Sequence, residues 1–342
     1  MTIGASSTAT TRLDHIRANL AAVRARVGDR LVLAAVKADA YGHGAVEVGR
    51  MIERTRAADW LGVATVGEGL ELRAAGITLP ILKLSVARGD EVTAAVRAGL
   101  TLTVTDAASI QEAGTAASGG TTASVHLKVD TGMRRIGCEP AEAPGLAALA
   151  DTTPGVRLDG LFSHLPISDS PRGDDFTKTQ VELFRATAEQ VEQARGPLLK
   201  HLANSGAVLG HPDAWLDLVR PGIMIYGAYP DPEAQRTVPL LPALEWRTRV
   251  TFIKRVRAGE TVGYGRTWTA PSDTWIATVP IGYGDGYSRL LSNRGRMLVG
   301  GRSYPIAGRV CMDQTMLDLG PSTDVAVGDE VVLVGRSGEE EI

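Results

Sequence analysis

The chain has 342 residues, more than a single hydrophobic core usually organises, so a barrel-sized domain with a smaller companion is expected. Apolar residues at 44% and charged residues at 22% are ordinary for a globular protein and unlike a disordered or membrane chain. A formal net charge of -3 without a Lys/Arg run argues against nucleic acid as a partner and favours small-molecule chemistry.

The opening MTIGASSTATTRLDH lacks the apolar stretch of a signal peptide, and no run of 18 apolar residues occurs, so a cytoplasmic protein without membrane insertion is expected. Leu13, Ile16, Leu20, Val23 and Val27 then recur at spacings of three and four, the stripe of a core-facing helix. Eight short apolar runs follow, alternating with amphipathic or Ala-rich segments: LVLAAVK (31 to 37), WLGVATV (60 to 66), LPILKL (79 to 84), LTLTV (100 to 104), SVHLKVD (124 to 130), LDGLFSH (158 to 164), LKHLANS (199 to 205) and DLVRPGIMIYG (217 to 227). Near-continuous apolar runs suit strands buried on both faces. Residues 175 to 195, without Gly or Pro, read as the longest crossover helix. Eight strand and helix units predict an α/β fold, a (β/α)8 TIM-type barrel over 12–235.

After about 235 the texture changes to β-branched runs between Gly, Pro and Asp turns: RTRVTFIKRV, TWIATVPIGYG, GRMLVGG, RSYPIAGRVCMDQ and DEVVLVGR. Residues 236–342 are expected to form a C-terminal mostly β domain. Cys138 and Cys311 have neither disulfide nor zinc spacing and read as free thiols, and no metal site is expected.

Barrel enzymes carry reactive groups at the C-terminal ends of their strands. Here those ends offer Lys37, then Lys128 and Asp130, His164, Asn204 and Ser205, and Arg220 followed by Gly222 and Ile223. Any one of them alone reads more simply as a polar residue meeting solvent; together they suggest a site. Lys37 follows the apolar run Leu33 to Val36, where desolvation favours a neutral, nucleophilic amine able to take an aldehyde. The region after strands seven and eight is a frequent phosphate site in barrels, although Gly222 reads equally well as relief for a tight turn.

At AVKADAYGHG (35 to 44) the sequence resembles the alanine racemases, enzymes dependent on pyridoxal 5'-phosphate (PLP). KVDTGMRRIG (128 to 137), FSH (162 to 164), HLANSG (201 to 206), RPGIMIYG (220 to 227), VGYGRTWTA (262 to 270), PIGYGDGY (280 to 287) and GRVCMDQ (308 to 314) continue the match in the family's order. The resemblance implies a racemase that interconverts L-alanine and D-alanine for cell-wall peptidoglycan by a two-base mechanism. It makes Lys37 the cofactor-bearing lysine and one base, and Tyr264 the other. It assigns Tyr41, Ser205, Gly222 and Ile223 to the phosphate and Arg220 to the pyridine nitrogen. His164, His201 and Asn204 fall in the shell around the cofactor. Arg135 and the backbone N–H of Met312 would meet the substrate carboxylate, and Lys128 matches a position carbamylated in many members. Tyr264, Tyr283 and Met312 would reach into the partner's barrel, implying a homodimer with shared sites.

Three stretches depart from the family's pattern: the polar STATTRLDH opening, LPISDSP after His164, and the ending GRSGEEEI, beyond which members continue through further strands carrying a phosphate-gripping tyrosine. On that comparison the C-terminal domain is expected to be truncated, and the N-terminal segment 1–11 to make only a short contribution to it. Alternatives are a broader or serine-specific racemase, and a PLP-binding barrel with reduced or no turnover. A decarboxylase would prefer an acidic partner where Arg220 stands.

Overall fold

The computed structural model describes residues 7–117 and 120–342, which form two compact units, one from Leu13 to Ala243 and one from the N-terminal strand plus Leu244–Ile342. Part of the expected N-terminal segment, residues 1–6, lies outside the described residues.

The N-terminal strand, β1 (Ser7–Thr11), belongs to the second unit. The first unit is a barrel of eight parallel strands: β2 (Leu31–Ala35), β3 (Trp60–Val63), β4 (Ile81–Val86), β5 (Thr101–Val104), β6 (Ala123–Lys128), β7 (Val156–Phe162), β8 (Leu199–His201) and β9 (Leu218–Val219). Seven ladders join neighbours from β8 back to β2 and on to β9. The last seam is closed by Asp217 N donating to Lys200 O at 3.1 Å and Arg220 N to Ala203 O at 2.9 Å.

Alternation along the strands sorts the side chains into two layers. Leu33, Leu82 and Leu218 form an inner cluster with Trp60, Leu84 and Leu199, while Val32, Ala34 and Leu61 join the outer core beneath the helices. Inner space is tight: a Cβ on Gly62 would sit 2.5 Å from Leu33 Cδ2, and one on Gly160 would fall 2.8 Å from the His126 ring. Glycine at both positions therefore admits the larger neighbour.

The helix Leu13–Val27 buries the expected stripe from Ile16 onward, with Ile16, Leu20, Val23 and Val27 at most 1% exposed and Leu13 half-buried. Each such burial stabilises by about 1.5–3 kcal/mol. The long helix Asp174–Arg195 buries Thr177, Val181, Phe184, Ala188 and Val191, again at spacings of three and four, and stops at Gly196.

Two expectations need correction. The run 217–227 is not one strand: only Leu218–Val219 pairs, and Ile223–Tyr226 coils into a short 3-10 turn that ends at Gly227, φ 93°. Pro221 lacks the N–H a ladder needs, and a short apolar run fits a buried turn as well as a strand. The barrel unit also extends past 235 to Ala243. Asn19 on the first helix holds that tail, Nδ2 donating to Leu241 O and Oδ1 accepting from Leu241 N, both at 2.8 Å.

In the second unit β1 pairs antiparallel with β10 (Leu244–Arg249) in a five-stranded sheet completed by Glu330–Val334, Arg296–Val299 and Arg302–Pro305. A three-stranded sheet joins Phe252–Val256, Thr274–Val279 and Thr315–Gly320. The expected RTRVTFIKRV strand is thus two strands broken at Val250–Thr251, and RSYPIAGRVCMDQ is a strand only from Arg302 to Pro305, after which Ile306 makes a single bridge to Leu317. TMLDLG (315 to 320), not anticipated as a strand, alternates buried and half-buried residues at the sheet's edge.

Candidate active site

The C-terminal ends of the barrel strands enclose a cavity of about 330 Å³. Lys37 enters it just past β2, Lys128 from the last position of β6, His164 beyond β7, Asn204 and Ser205 beyond β8, and Arg220 directly after β9. Tyr41, Arg135, Gly222 and Ile223 also line it. His201 does not: it is fully buried behind Arg220.

Charge is one-sided, with Lys37, Lys128, Arg135 and Arg220 on the wall and Asp169 the one acid there. Arg220 is 6% exposed, yet no carboxylate bonds it among the described residues. It donates to His201 Nδ1 at 2.8 Å, Ser163 O at 2.7 Å, Leu202 O at 3.1 Å and His164 Nδ1 at 3.3 Å. Burial, then the Arg220 charge, holds His164 and His201 well below the usual imidazole range, so both are neutral. A buried guanidinium with neutral partners keeps its charge uncompensated and available to an anion or electron-rich ring.

Lys128 is equally constrained. Burial, with Arg220 and Arg135 adding repulsion, pulls its amine down to about 7, and Nζ lies 5.1 Å from the Phe162 ring centroid. Much of this amine is uncharged near neutrality, hence nucleophilic.

Another part of the lining is backbone and hydroxyl. Gly222 N donates to Ser205 Oγ at 2.9 Å, and a Cβ on Gly222 would lie 2.6 Å from Tyr41 Oη, so the two hydroxyls and this glycine converge. Asn204 caps the helix Ser205–Gly210, accepting from Ala207 N at 3.2 Å and from Ser168 Oγ at 2.7 Å. The turn that brings Tyr41 here is left-handed: Ala38, Asp39, Ala40 and Tyr41 have φ of 52°, 52°, 54° and 55°. Such a conformation costs roughly 1–2 kcal/mol per non-glycine residue and needs outside support. Glu68 supplies some, accepting from Ala38 N at 2.8 Å with Oε1 and from Ala64 N at 2.7 Å with Oε2. Asp39 Oδ1 meanwhile accepts from Ala45 N at 2.7 Å.

Sequence reasoning passed over several of these residues. Phe162, which stacks on His201 at 4.6 Å and lies 5.3 Å from the Arg220 guanidinium carbon, stood inside a quoted motif but reads as core. Asp169, Leu84 and Pro230 complete the wall without a local signal. Glu68 had one, the Thr65-x-x-Glu68 pattern of a helix capping box, which the helix Val66–Ala74 realises.

Tyr264, Tyr283 and Met312 lie in the other unit, around a second cavity of about 810 Å³ with Arg289, Arg309 and Cys311. Tyr264 sits between Gly263, φ 73°, and Gly265, φ 71°, and is 72% exposed. The glycine turn at Tyr283 is zipped to the Met312 segment, Tyr283 N donating to Cys311 O at 3.0 Å and Gly284 N to Met312 O at 2.9 Å. Cys138 is buried with its thiol pushed up to about 12 by burial, which makes it unreactive. Among the described residues no cluster of His, Cys, Asp or Glu could hold a metal ion, and no helix is long and apolar enough to cross a membrane.

The chain matches the alanine racemase N-terminal domain over residues 11–230 and the alanine racemase C-terminal domain over 243–342. The chain belongs to the alanine racemase family. An alanine racemase of Cutibacterium acnes is 55% identical over 330 residues, covering 96% of this chain and 88% of the relative. One of Chlorobaculum tepidum is 42% identical over 332 residues, covering 95% and 86%. Among solved structures, the alanine racemase of E. faecalis superposes with a TM-score of 0.92 at 35% identity, covering all of this chain (100%) and 92% of that one. The alanine racemase of D-cycloserine-producing Streptomyces lavendulae gives 0.91 at 38% identity, covering 99% and 90%. Family membership accounts for a barrel followed by a mostly β unit, the arrangement expected from the sequence.

Proposed function

We propose that the chain is an alanine racemase that interconverts L-alanine and D-alanine with PLP held at Lys37, in a cytoplasmic homodimer whose subunits complete each other's sites. The observation that carries this reading is the cavity itself. A lysine amine shares it with Lys128, Arg135 and Arg220 against a single acid, a charge balance suited to a phosphate and a carboxylate together.

The residues present fit PLP. The cradle at Gly222, where any side chain would strike Tyr41 Oη, brings the Tyr41 and Ser205 hydroxyls to one turn, and these with Gly222 and Ile223 would hold the phosphate. Arg220, buried without a carboxylate partner, suits the unprotonated pyridine nitrogen. When bound, PLP supplies an aldehyde for amines and a ring that delocalises the electron pair left at Cα.

The chain's own residues do the rest. Lys37 Nζ takes or returns the Cα proton on one face, and Tyr264 of the partner subunit does so on the other, so the pair exchanges roles between directions. Arg135 binds the substrate carboxylate, with the backbone N–H of Met312 of the partner subunit as a second donor. Arg220 donates an N–H without surrendering its proton, which weakens the electron sink and favours simple return of the proton. His164 and His201 hold Arg220 in place as neutral acceptors, and Asn204 sets Ser205 at the head of its short helix. Lys128, once carbamylated, would present an anion to Arg135.

The deciding experiment incubates the chain with PLP and L-alanine in deuterated water. Solvent deuterium at Cα together with D-alanine supports the reading; L-alanine left unlabelled and unconverted overturns it.

A further inference from the structure

The left-handed turn that carries Tyr41 is held at its start by Glu68 and closed from behind by His43. His43 Nδ1 lies 3.0 Å from Ala40 O and 3.0 Å from Tyr41 O. Carbonyl oxygens only accept, so Nδ1 carries the proton. The opposite nitrogen, Nε2, is buried with no partner among the described residues, which leaves the carbonyls of the turn as the imidazole's polar contacts. Its ring stacks on Tyr226, centroids 4.6 Å apart and planes 23° from parallel. Tyr226 in turn leans on the Tyr41 ring at 5.0 Å and donates its hydroxyl to Ala35 O at 2.8 Å, tying the assembly to β2 just before Lys37.

We infer that His43 is a positioning residue for the cofactor phosphate: its Nδ1–H holds the carbonyls of Ala40 and Tyr41, and so keeps the Tyr41 hydroxyl over Gly222. The inference rests on the reading of the cavity as a PLP site. The ring and its donor do separate jobs. The stack on Tyr226 fixes where the imidazole sits, and the hydrogen bonds fix the twist of the turn. No glycine stands among Ala38, Asp39, Ala40 and Tyr41 to relax that twist, so it depends on its hydrogen bonds. Glu68 holds Ala38 N and the backbone His43 N donates to Ala40 O at 3.1 Å, whereas among the described residues the Tyr41 carbonyl is held by His43 Nδ1, so losing that donor loosens the end of the turn that carries the hydroxyl.

Two variants separate the jobs. His43→Phe keeps a ring against Tyr226 and removes the donor; His43→Asn removes the ring but places an amide N–H close to where Nδ1 stands. Each full chain is titrated with PLP and with pyridoxal, which has the same ring and aldehyde but no phosphate. His43→Phe should weaken PLP about tenfold while leaving pyridoxal within about twofold, and His43→Asn should recover most of the loss. In a Tyr41→Phe background His43→Phe should add nothing. Equal weakening of both ligands, no weakening, or full additivity with Tyr41→Phe would overturn the inference. A wild-type chain that bound neither ligand would remove the PLP reading and this inference with it; a wild type that bound PLP beside an unaffected His43→Phe would remove the inference alone.

Discussion

Arg220 donates to His201 Nδ1 at 2.8 Å, and this contact decides which imidazole nitrogen carries a proton. Guanidinium only donates, so His201 accepts on Nδ1, bears its hydrogen on Nε2, and donates that N–H to His126 Nδ1 at 2.9 Å. His126 then carries its own hydrogen on Nε2, buried without a partner among the described residues. Burial holds His126 down to about 4, and it is completely enclosed.

Stability should therefore fall in mild acid. Below the ordinary value of 6.5 the unfolded chain protonates His126, His164 and His201 while the folded chain does not, so unfolding takes up protons and ΔG drops as pH falls. Each histidine contributes a slope of about 1.4 kcal/mol per pH unit until its folded-state value is reached, which for His126 is about 4. Urea melts between pH 7 and pH 5, roughly the window set by the histidine reference value, should report up to about 4 kcal/mol per pH unit. A flat profile there would contradict neutral burial of all three.

Gly222→Ala should cost cofactor affinity without unfolding the barrel. The added Cβ would sit 2.6 Å from Tyr41 Oη and must push that hydroxyl aside. Removing the hydroxyl with Tyr41→Phe leaves Cζ at 3.4 Å, a contact the neighbour can absorb, so the double variant should lose far less than the sum of the singles. Equilibrium dialysis with PLP measures all four corners of the cycle, and strict additivity would place Tyr41 away from the phosphate.

The shared-site reading makes a test by mixing. Lys37→Ala and Tyr264→Phe chains should each lose about 10²–10⁴-fold in activity. Unfolded together and refolded, they should regain activity, because a mixed dimer joins Lys37 of one chain to Tyr264 of the partner subunit at one intact site. Activity that stays at the level of the separate variants would mean that both bases belong to one chain.

Lys128, with its amine near 7, should react with carbon dioxide close to neutral pH. The neutral nitrogen forms an N–C bond, its proton leaves to solvent, and an anionic carbamate remains. Labelled bicarbonate should yield a carbamate carbon signal in wild type that disappears in Lys128→Arg. The same signal in both proteins would put the modification elsewhere.

How much of this was legible beforehand depended on how local each signal was. All eight barrel strands announced themselves, because burial on both faces forces continuous apolar runs such as LVLAA and WLGV. Ile223–Tyr226 carries the same apolar run but bends into a turn, since run length does not separate a short strand from a buried turn. The left-handed twist of Ala38 to Tyr41 left no trace in a segment without glycine or asparagine there, for it is held by Glu68 from another helix and by side-chain contacts of His43 and Asp39 that no residue pattern announces. Phe162 and Tyr226 stayed hidden for a different reason: an aromatic ring inside an apolar run looks like core until a cation or a second ring is found against it. Tyr264 and Met312 had no spacing to recommend them and were reached through resemblance alone.

The pairing of β1 with β10 also bears on how the protein is made. Ser7–Thr11 leaves the ribosome ahead of the barrel, but its partner Leu244–Arg249 comes only after it. At about 5–20 residues per second the early strand waits roughly 10–50 s with its edge uncovered. The polar STATT sequence suits that interval, since a strand rich in serine and threonine offers little apolar surface for a neighbouring nascent chain to seize.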